Sequence, residues 1–317
     1  MIRHMKSTKH INIDSCPTQS PNALPDLTHN ASVCGICRNT QLLPVFSDTL
    51  PWLMKCSRCM VQCVHPQPSD SELKSIYSSQ YYETFGYEHG NGDSYRAMKN
   101  AQCQLILNMI EQHISGGRLL DVGSALGDML AAAAARGWSA IGVERNEYAV
   151  KIAENVAPGA TYCGCLEGCY EHIGNVDVIT CLDVFEHLRS PGDILAKFRD
   201  ILKPGGLCVM TTVDAGSMYA KILRMRWPHY HRDHLWYFTR STMQILMREA
   251  GLELLACSSG KKVFSLQYIM GILAASERNP WLRSLSRVGL TRLPRVLQSQ
   301  TFRLSEGMYV VARRPFE

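Results

Sequence analysis

"RLLDVGSALGDMLAAAAARGWSAIGVE", residues 118–144, decides the fold. It opens on a short apolar run that ends in Asp121-Val122-Gly123. A strongly helical stretch over 127–137 follows and stops on a glycine, as helices often do. The run 139–144 reads as a second strand ending in Glu144. Strand, glycine-bearing turn, helix and strand make one parallel crossover unit. The pattern then repeats. Residues 146–156 read as a helix and 176–183 as an apolar strand. Residues 191–206 read as a helix with proline near its start and glycine past its end. Residues 207–213 read as another strand. The expectation is an α/β fold, a Rossmann-like sheet with helices on both faces. In such sheets the ligand sits at the carboxyl ends of the strands.

Two ligand classes compete for the first turn. A dinucleotide wants G-x-G-x-x-G for its pyrophosphate. Here the loop is Gly123-Ser124-Ala125-Leu126-Gly127, with Ala125 in the place of the middle glycine. Asp121 stands two residues before Gly123. A carboxylate there repels a pyrophosphate but not a sulfonium-bearing amino acid. The acid therefore favours S-adenosylmethionine over NAD. Glu144 has two oxygens for the two hydroxyls of a ribose, a contact that suits either class.

Upstream lie four cysteines, Cys34-Gly35-Ile36-Cys37 and Cys56-Ser57-Arg58-Cys59, with 18 residues between the pairs. Two tight C-x-x-C turns brought together give a closed tetrahedral thiolate set suited to structural Zn²⁺. The plain alternative is four unrelated thiols. Roughly 30 residues cannot bury a core, so the ion would supply the folding energy of this module. Cys63 and His65 follow closely, but the paired turns already complete the set. The stretch between the pairs is poor in basic residues and reads as a surface that docks on protein or covers a substrate.

Together, "LLDVGSALGDML", "AIGVE", "VDVITCLDVFEHLRSPGDIL" and "ILKPGGLCVMTT" resemble successive motifs of class I S-adenosylmethionine-dependent methyltransferases. The resemblance covers about residues 118–257, and 307–315 resembles the last strand of that family. The cysteine pairs and the segment after them resemble the N-terminal module of a bacterial subfamily tied to sugar, polysaccharide and secondary-metabolite modification. The resemblance implies cofactor contacts from Asp121, Gly123, Ser124 and Gly127, with Glu144 on the ribose and Asp183 near the methyl group. Cys165 takes the place of the usual adenine-binding acid, which leaves the backbone amide of Leu166 for that contact.

Asp183, Glu186 and His187 follow the strand over 176–183. They would orient an acceptor or hold a divalent ion. The D-x-x-E-H spacing also resembles small-RNA 2′-O-methyltransferases, which add a later histidine. "RDHLWYFTR" resembles their matching segment, with Tyr237 where an acid is expected. A hydroxyl acceptor benefits from a general base, typically histidine. His234 is the first candidate and His187 the second, with His229 and His231 read as exposed loop residues. Trp227, Tyr230, Trp236, Tyr237 and Phe238 would either line an acceptor pocket or belong to the core. Residues 235–252 read as the next helix.

The sequence thus divides into a polar tail (1–30), a zinc module (31–66), a helical linker or lid (67–100) and a methyltransferase domain (101–317). Within that domain, 260–306 reads as a helical insertion, apolar over 263–276 and arginine-rich beyond. It would cover substrate, touch a membrane surface through 263–303, or mediate dimerisation. A net charge of +5 permits an anionic substrate without demanding nucleic acid. Thirteen cysteines, an odd number, without a recognisable leader suggest free thiols in a reducing cytoplasm. The expected activity is methyl transfer to a hydroxyl, or a sugar carbon, of a small molecule, sugar nucleotide or lipid-linked glycan. RNA 2′-O-methylation with a catalytic metal is the second reading. A zinc-ribbon binding protein with a vestigial methyltransferase fold is the third.

Overall fold

The computed structural model describes residues 34–76, 92–266 and 301–317. The tail, the middle of the linker and most of the 260–306 insertion lie outside the described residues. The N-terminal module is a hairpin, β1 (Leu42–Phe46) and β2 (Leu50–Cys56), followed by β3 (Gln62–Val64). Each C-x-x-C turn is followed by a residue with left-handed backbone, Arg38 at φ 60° and Met60 at φ 64°. That reversal turns both thiol pairs inward. Cys34 Sγ lies 3.6 Å from Cys59 Sγ, and Cys37 Sγ 3.5 Å from Cys56 Sγ. The backbone N–H groups of Ile36 and Arg58 point at the Cys34 and Cys56 sulfurs, both at 3.4 Å. All four sulfurs lie within 4.8 Å of one another. A tetrahedral Zn²⁺ with bonds of about 2.3 Å needs sulfurs about 3.8 Å apart, so the set fits that ion. The neighbouring Cys59 sulfur holds the Cys34 thiol down to about 5. Cys63 is a core residue outside the set, its thiol pushed up by burial to about 12.

After α1 (Asp70–Ile76) and α2 (Gly92–Glu111) the doubly covered sheet begins. Its parallel strands are β4 (Arg118–Val122), β5 (Ser139–Glu144), β6 (Thr161–Cys163), β7 (Val176–Leu182) and β8 (Leu202–Thr212). The helices between them are α3 (Asp128–Ala135), α4 (Glu147–Ala153), α5 (Leu166–Ile173) and α6 (Pro191–Ile201). The chain goes on through α7 (Met218–Leu223), β9 (Trp236–Tyr237), α8 (Arg240–Glu249), β10 (Glu253–Ser265) and β11 (Thr301–Arg313). The strand order is β10-β11-β8-β7-β4-β5-β6, with β11 antiparallel between β10 and β8. The order reverses at β4, so the carboxyl ends of β4 and β7 frame the crevice where ligands bind in such sheets. Val178, Ile179, Cys181, Cys208 and Val209 are fully buried, because helices cover both faces.

Three expected elements change. The helix from Pro191 stops at Ile201, and Lys203-Pro204-Gly205-Gly206 already belongs to the long β8. Residues 263–265 finish strand β10 rather than start a helix. The expected helix from Leu235 begins only at Arg240, capped by Thr239, whose side chain accepts from the Thr242 N–H. Ahead of it, Trp236 and Tyr237 form β9, which pairs antiparallel with β3 (Cys63 opposite Trp236, Gln62 opposite Tyr237). Bulky aromatics favour extended backbone when an edge is there to pair with.

That pairing joins the cysteine module to the sheet domain. The Trp236 indole lies over the first C-x-x-C turn, where a Cβ on Gly35 would stand 2.6 Å from its ring. Only glycine allows so close an approach. The indole N–H donates to the Leu188 carbonyl at 2.9 Å, and the Thr242 hydroxyl donates to the Cys59 carbonyl at 3.1 Å. Trp227, Tyr230, Trp236, Tyr237 and Phe238 are all buried, so these rings are core and do not line an open acceptor pocket. The stretch between the cysteine pairs docks on protein, as its apolar residues suggested. Leu50 and Leu53 join Trp227, Tyr230 and Tyr237 in one cluster, with Phe46 edge-on to Tyr230 at 5.9 Å.

Trp236→Ala removes a buried ring and the cover of the cysteine turn. A loss of about 3–5 kcal/mol is expected, read by urea unfolding at constant zinc.

Candidate active site

The first turn carries the expected cofactor residues. At Gly123, φ is 76°, and a Cβ there would meet Val184 at 2.3 Å, so the backbone is held tight against the loop after β7. Gly127 forms the N-cap of α3. Ala125, in the place of the middle glycine, also has positive φ (46°), and its N–H donates to Glu144 Oε2 at 3.0 Å. Glu144 Oε1 accepts from the Asn146 N–H at 2.8 Å. The carboxylate keeps lone-pair capacity for a further donor, which fits a ribose hydroxyl. Ser124 differs from expectation. Its side chain packs beneath the loop against Gly142, its hydroxyl is buried without a partner, and only its backbone faces the turn. Cys165 is the N-cap of α5 and Leu166 is a buried residue of its first turn. The adenine contact expected of the pair stays an expectation.

Asp121 is buried at the end of β4 and accepts from the Thr180 hydroxyl at 2.7 Å. Burial, reinforced by Glu144 and Asp128 and opposed by the Thr180 hydrogen bond, pushes its carboxyl up to about 7. A cationic ligand at this point would relieve that penalty. The residues present therefore fit S-adenosylmethionine: an acid for its positive end, a tight glycine turn and an acceptor for a ribose hydroxyl.

The second half of the site lies beyond β7. Asp183 has φ 56°, Glu186 and His187 form a 3₁₀ turn, and the loop after β8 brings His229, His231 and His234 opposite. His234 is only 7% exposed, and its Nδ1 is buried without a hydrogen-bond partner. Its ring centroid lies 4.6 Å from that of His187 and 3.8 Å from that of His231. Burial, with three imidazoles and Lys262 around it, holds His234 well below the ordinary histidine range, so it is neutral at pH 7. His187 Nδ1 donates to the Asp233 carbonyl at 2.8 Å, which leaves Nε2 as the lone-pair nitrogen. His231 Nδ1 is held by the Asp233 carboxylate. Glu186 is buried and accepts from the Thr212 hydroxyl at 2.8 Å. Burial raises its carboxyl, against the pull of His187.

Asp183 leaves the cluster that the sequence had assembled. It accepts from the Lys262 ammonium and the Thr211 hydroxyl, both at 2.8 Å. Its side chain is 43% exposed; partial desolvation would raise its carboxyl, but Lys262 and Lys99 outweigh it and hold Asp183 at about 2. It is a fixed anion beside the cluster, outside the groups whose donor atoms come within 4.8 Å of one another. His229 and His231, read as exposed, belong with His234 instead. Tyr237, where an acid was expected, is a buried phenol that donates to the His231 carbonyl at 2.7 Å and accepts from the His231 N–H at 3.0 Å. Sequence reasoning missed Lys262, Thr212 and Asp233. Asp233 alone carried a signal, as a carboxylate between two histidines.

The raised Asp121 carboxyl sets a pH signature. The native state without ligand keeps a proton that the unfolded chain releases near pH 4. Its stability therefore falls as pH rises from about 4 to about 7. Asp121→Asn removes this term. The variant should match the parent in melting temperature at pH 4 and exceed it at pH 8, while binding S-adenosylmethionine about tenfold more weakly.

A family model described as a methyltransferase domain matches residues 94–256. The chain is 28% identical over 171 residues to a ubiquinone biosynthesis O-methyltransferase of Acinetobacter baylyi, covering 47% of this chain and 70% of that protein. A Marinobacter nauticus protein of the same name is 29% identical over 169 residues, with the same coverage. Among solved structures, phosphoethanolamine N-methyltransferase 2 of Haemonchus contortus, in complex with S-adenosyl-L-methionine, shares the fold. The TM-score is 0.50 at 16% identity, over 80% of this chain and 62% of that one. With the strand order, the glycine turn and the Asp121/Glu144 pair, the match over half the chain makes this protein a member of the methyltransferase-domain family, a class I S-adenosylmethionine-dependent methyltransferase.

Proposed function

We propose that the protein transfers a methyl group to a hydroxyl oxygen of a small acceptor, an aromatic, sugar-nucleotide or lipid-linked glycan alcohol. The observation that carries this reading is the meeting of His187 and His234 beyond the carboxyl end of β7, with the two imidazole rings 4.6 Å apart. Two curated relatives named as O-methyltransferases support oxygen as the acceptor atom. S-adenosylmethionine, when bound, supplies a methyl on a positively charged sulfur that leaves as a neutral thioether.

The chain's own residues supply position and charge. Asp121 faces the positive end of the cofactor and Glu144 the ribose. Asp183, fixed by Lys262 and Thr211, is an anion beside the sulfonium path and steers the acceptor hydroxyl. The acceptor O–H is weakened by the histidine cluster. As the O–CH₃ bond forms, the proton leaves through His187 and His234. Neutral imidazole is the form that accepts a proton, and the buried setting of His234 keeps it neutral. In-line positioning supplies much of the remaining rate. Cys34, Cys37, Cys56 and Cys59 would hold Zn²⁺ as a structural ion.

The purified protein is to be incubated with S-adenosylmethionine and a panel of hydroxyl-bearing aromatics, sugar nucleotides and lipid-linked glycans. Methylated product is read by mass and by S-adenosylhomocysteine release. His187→Ala and His234→Ala should each lower kcat by about 10²–10⁴-fold and leave cofactor affinity unchanged. Full turnover in both variants, or methylation confined to nitrogen or carbon, would sink the proposal.

A further inference from the structure

The histidine cluster is built as more than a single base requires. Two groups of donor atoms share His234: Glu186, His187 and His234, and His229, His231 and His234. Within each group the atoms lie within 4.8 Å of one another. First-row cations bind imidazole nitrogen at about 2.0–2.1 Å, so ligands on one ion are at most about 4.2 Å apart. Small side-chain movements would close either group on an ion.

We propose that the protein binds one first-row divalent cation, Mn²⁺, Fe²⁺ or Zn²⁺, at His234, closed by Glu186 and His187 from the sheet side, with His229 and His231 as the neighbouring loop-side imidazoles.

Three features point to a cation rather than a hydrogen-bonded imidazole network. First, His234 is more than nine-tenths buried, yet its Nδ1 has no hydrogen-bond partner. A buried nitrogen of this kind costs free energy unless something fills its valence. Second, the supporting contacts are already those of a metal site. Ligating histidines almost always donate their other ring N–H to a carboxylate or a backbone carbonyl. Here one residue, Asp233, serves two of them. Its carbonyl takes Nδ1 of His187, and its carboxylate takes Nδ1 of His231. The Glu186 carboxylate is oriented in the same way by the Thr212 hydroxyl. Third, the donors are imidazole nitrogens and one carboxylate. Imidazole with a carboxylate suits Mn²⁺, Fe²⁺ and Zn²⁺, while the soft tetrathiolate of the N-terminal module is selective for Zn²⁺. The two sites would therefore load independently.

This deepens the O-methylation reading and rests on it for its catalytic meaning. When bound, the ion would make an acceptor hydroxyl more acidic, and His187 and His234 would then act by holding the ion in place of taking the proton themselves. The proton passes to water as the O–CH₃ bond forms and the S–CH₃ bond breaks. Binding of the ion, in contrast, needs no acceptor and is measurable alone.

Tag-free, full-length protein carrying one equivalent of Zn²⁺ is to be titrated with Mn²⁺, free ion being followed by its paramagnetic resonance signal. The expected result is one further equivalent bound, weakened at least 100-fold by His234→Ala and about 10–100-fold by Asp233→Ala. Where His234→Ala fails to fold, Glu186→Gln and Asp233→Ala carry the test. No Mn²⁺ bound by the parent protein, or affinity unchanged in these variants, overturns the inference. The two readings fail separately. Histidine variants that lose turnover in a protein that binds no second ion leave O-methylation standing and remove the ion. An ion held by these residues in a protein that methylates no hydroxyl does the reverse.

Discussion

The active-site loop depends on one backbone pairing, that of β9 with β3. Two residues, Trp236 and Tyr237, meet Gln62 and Cys63 across a short antiparallel ladder. Two residues of ladder are weak alone. They are held because both sides are fixed by other means: Trp236 lies over the Cys34–Cys37 turn, and Tyr237 clasps both backbone groups of His231. The Val64 N–H extends the contact by donating to the Leu235 carbonyl at 3.0 Å, and the Tyr230 hydroxyl reaches Gln62 at 2.9 Å. The cysteine module is thus the floor on which the histidine loop is laid. Ordering a loop costs about 1–2 kcal/mol per residue in backbone entropy. Here the cost is offset by burying Trp227, Tyr230, Trp236 and Tyr237 against the cysteine module.

Charge is distributed along the strand ends so that each carboxylate has a different state. Asp121 is pushed towards neutrality by burial, which the pull of Lys99 does not offset. Glu144 accepts from backbone N–H groups that include those of Ala125 and Asn146, and burial still raises it. Asp183 has Lys262 and stays firmly ionised. Three acids at the ends of β4, β5 and β7 therefore act as three different groups. Two are ready to gain from a cationic, diol-bearing ligand, and one is spent on holding a lysine and presenting a fixed charge. The contrast follows from neighbours, since all three sit at equivalent places in the fold.

Much of this was legible in the sequence. The strand–helix alternation over 118–213 and the paired C-x-x-C turns specify their structures locally, through periodicity and spacing. Their main errors are at boundaries, as where Lys203-Pro204-Gly205-Gly206 joins a strand. What was not legible depends on partners far along the chain. "LWYF" reads as a helix start until β3 offers it an edge. Asp183 reads as one of a metal-binding trio until Lys262, from β10, claims it. His229 and His231 read as exposed because nothing local says that a loop folds inward. The aromatic run was open to two readings, pocket or core, and only the position of the cysteine module decides between them.

The same dependence explains why the imidazoles gather so late in the chain. Glu186 and His187 follow β7, where any sheet of this order presents its chemistry. His229, His231 and His234 come from a loop that the sheet alone cannot place. Burying imidazoles beside one another is unfavourable unless each nitrogen has a role. Asp233 gives a role to one nitrogen each of His187 and His231, at the point where the loop meets the sheet. That residue precedes His234 and stands three positions before the Trp236 that anchors the loop to the cysteine turn. The order Asp233-His234-Leu235-Trp236-Tyr237 therefore reads as one device: an orienting acid, a buried imidazole, and the strand that fixes both to the module.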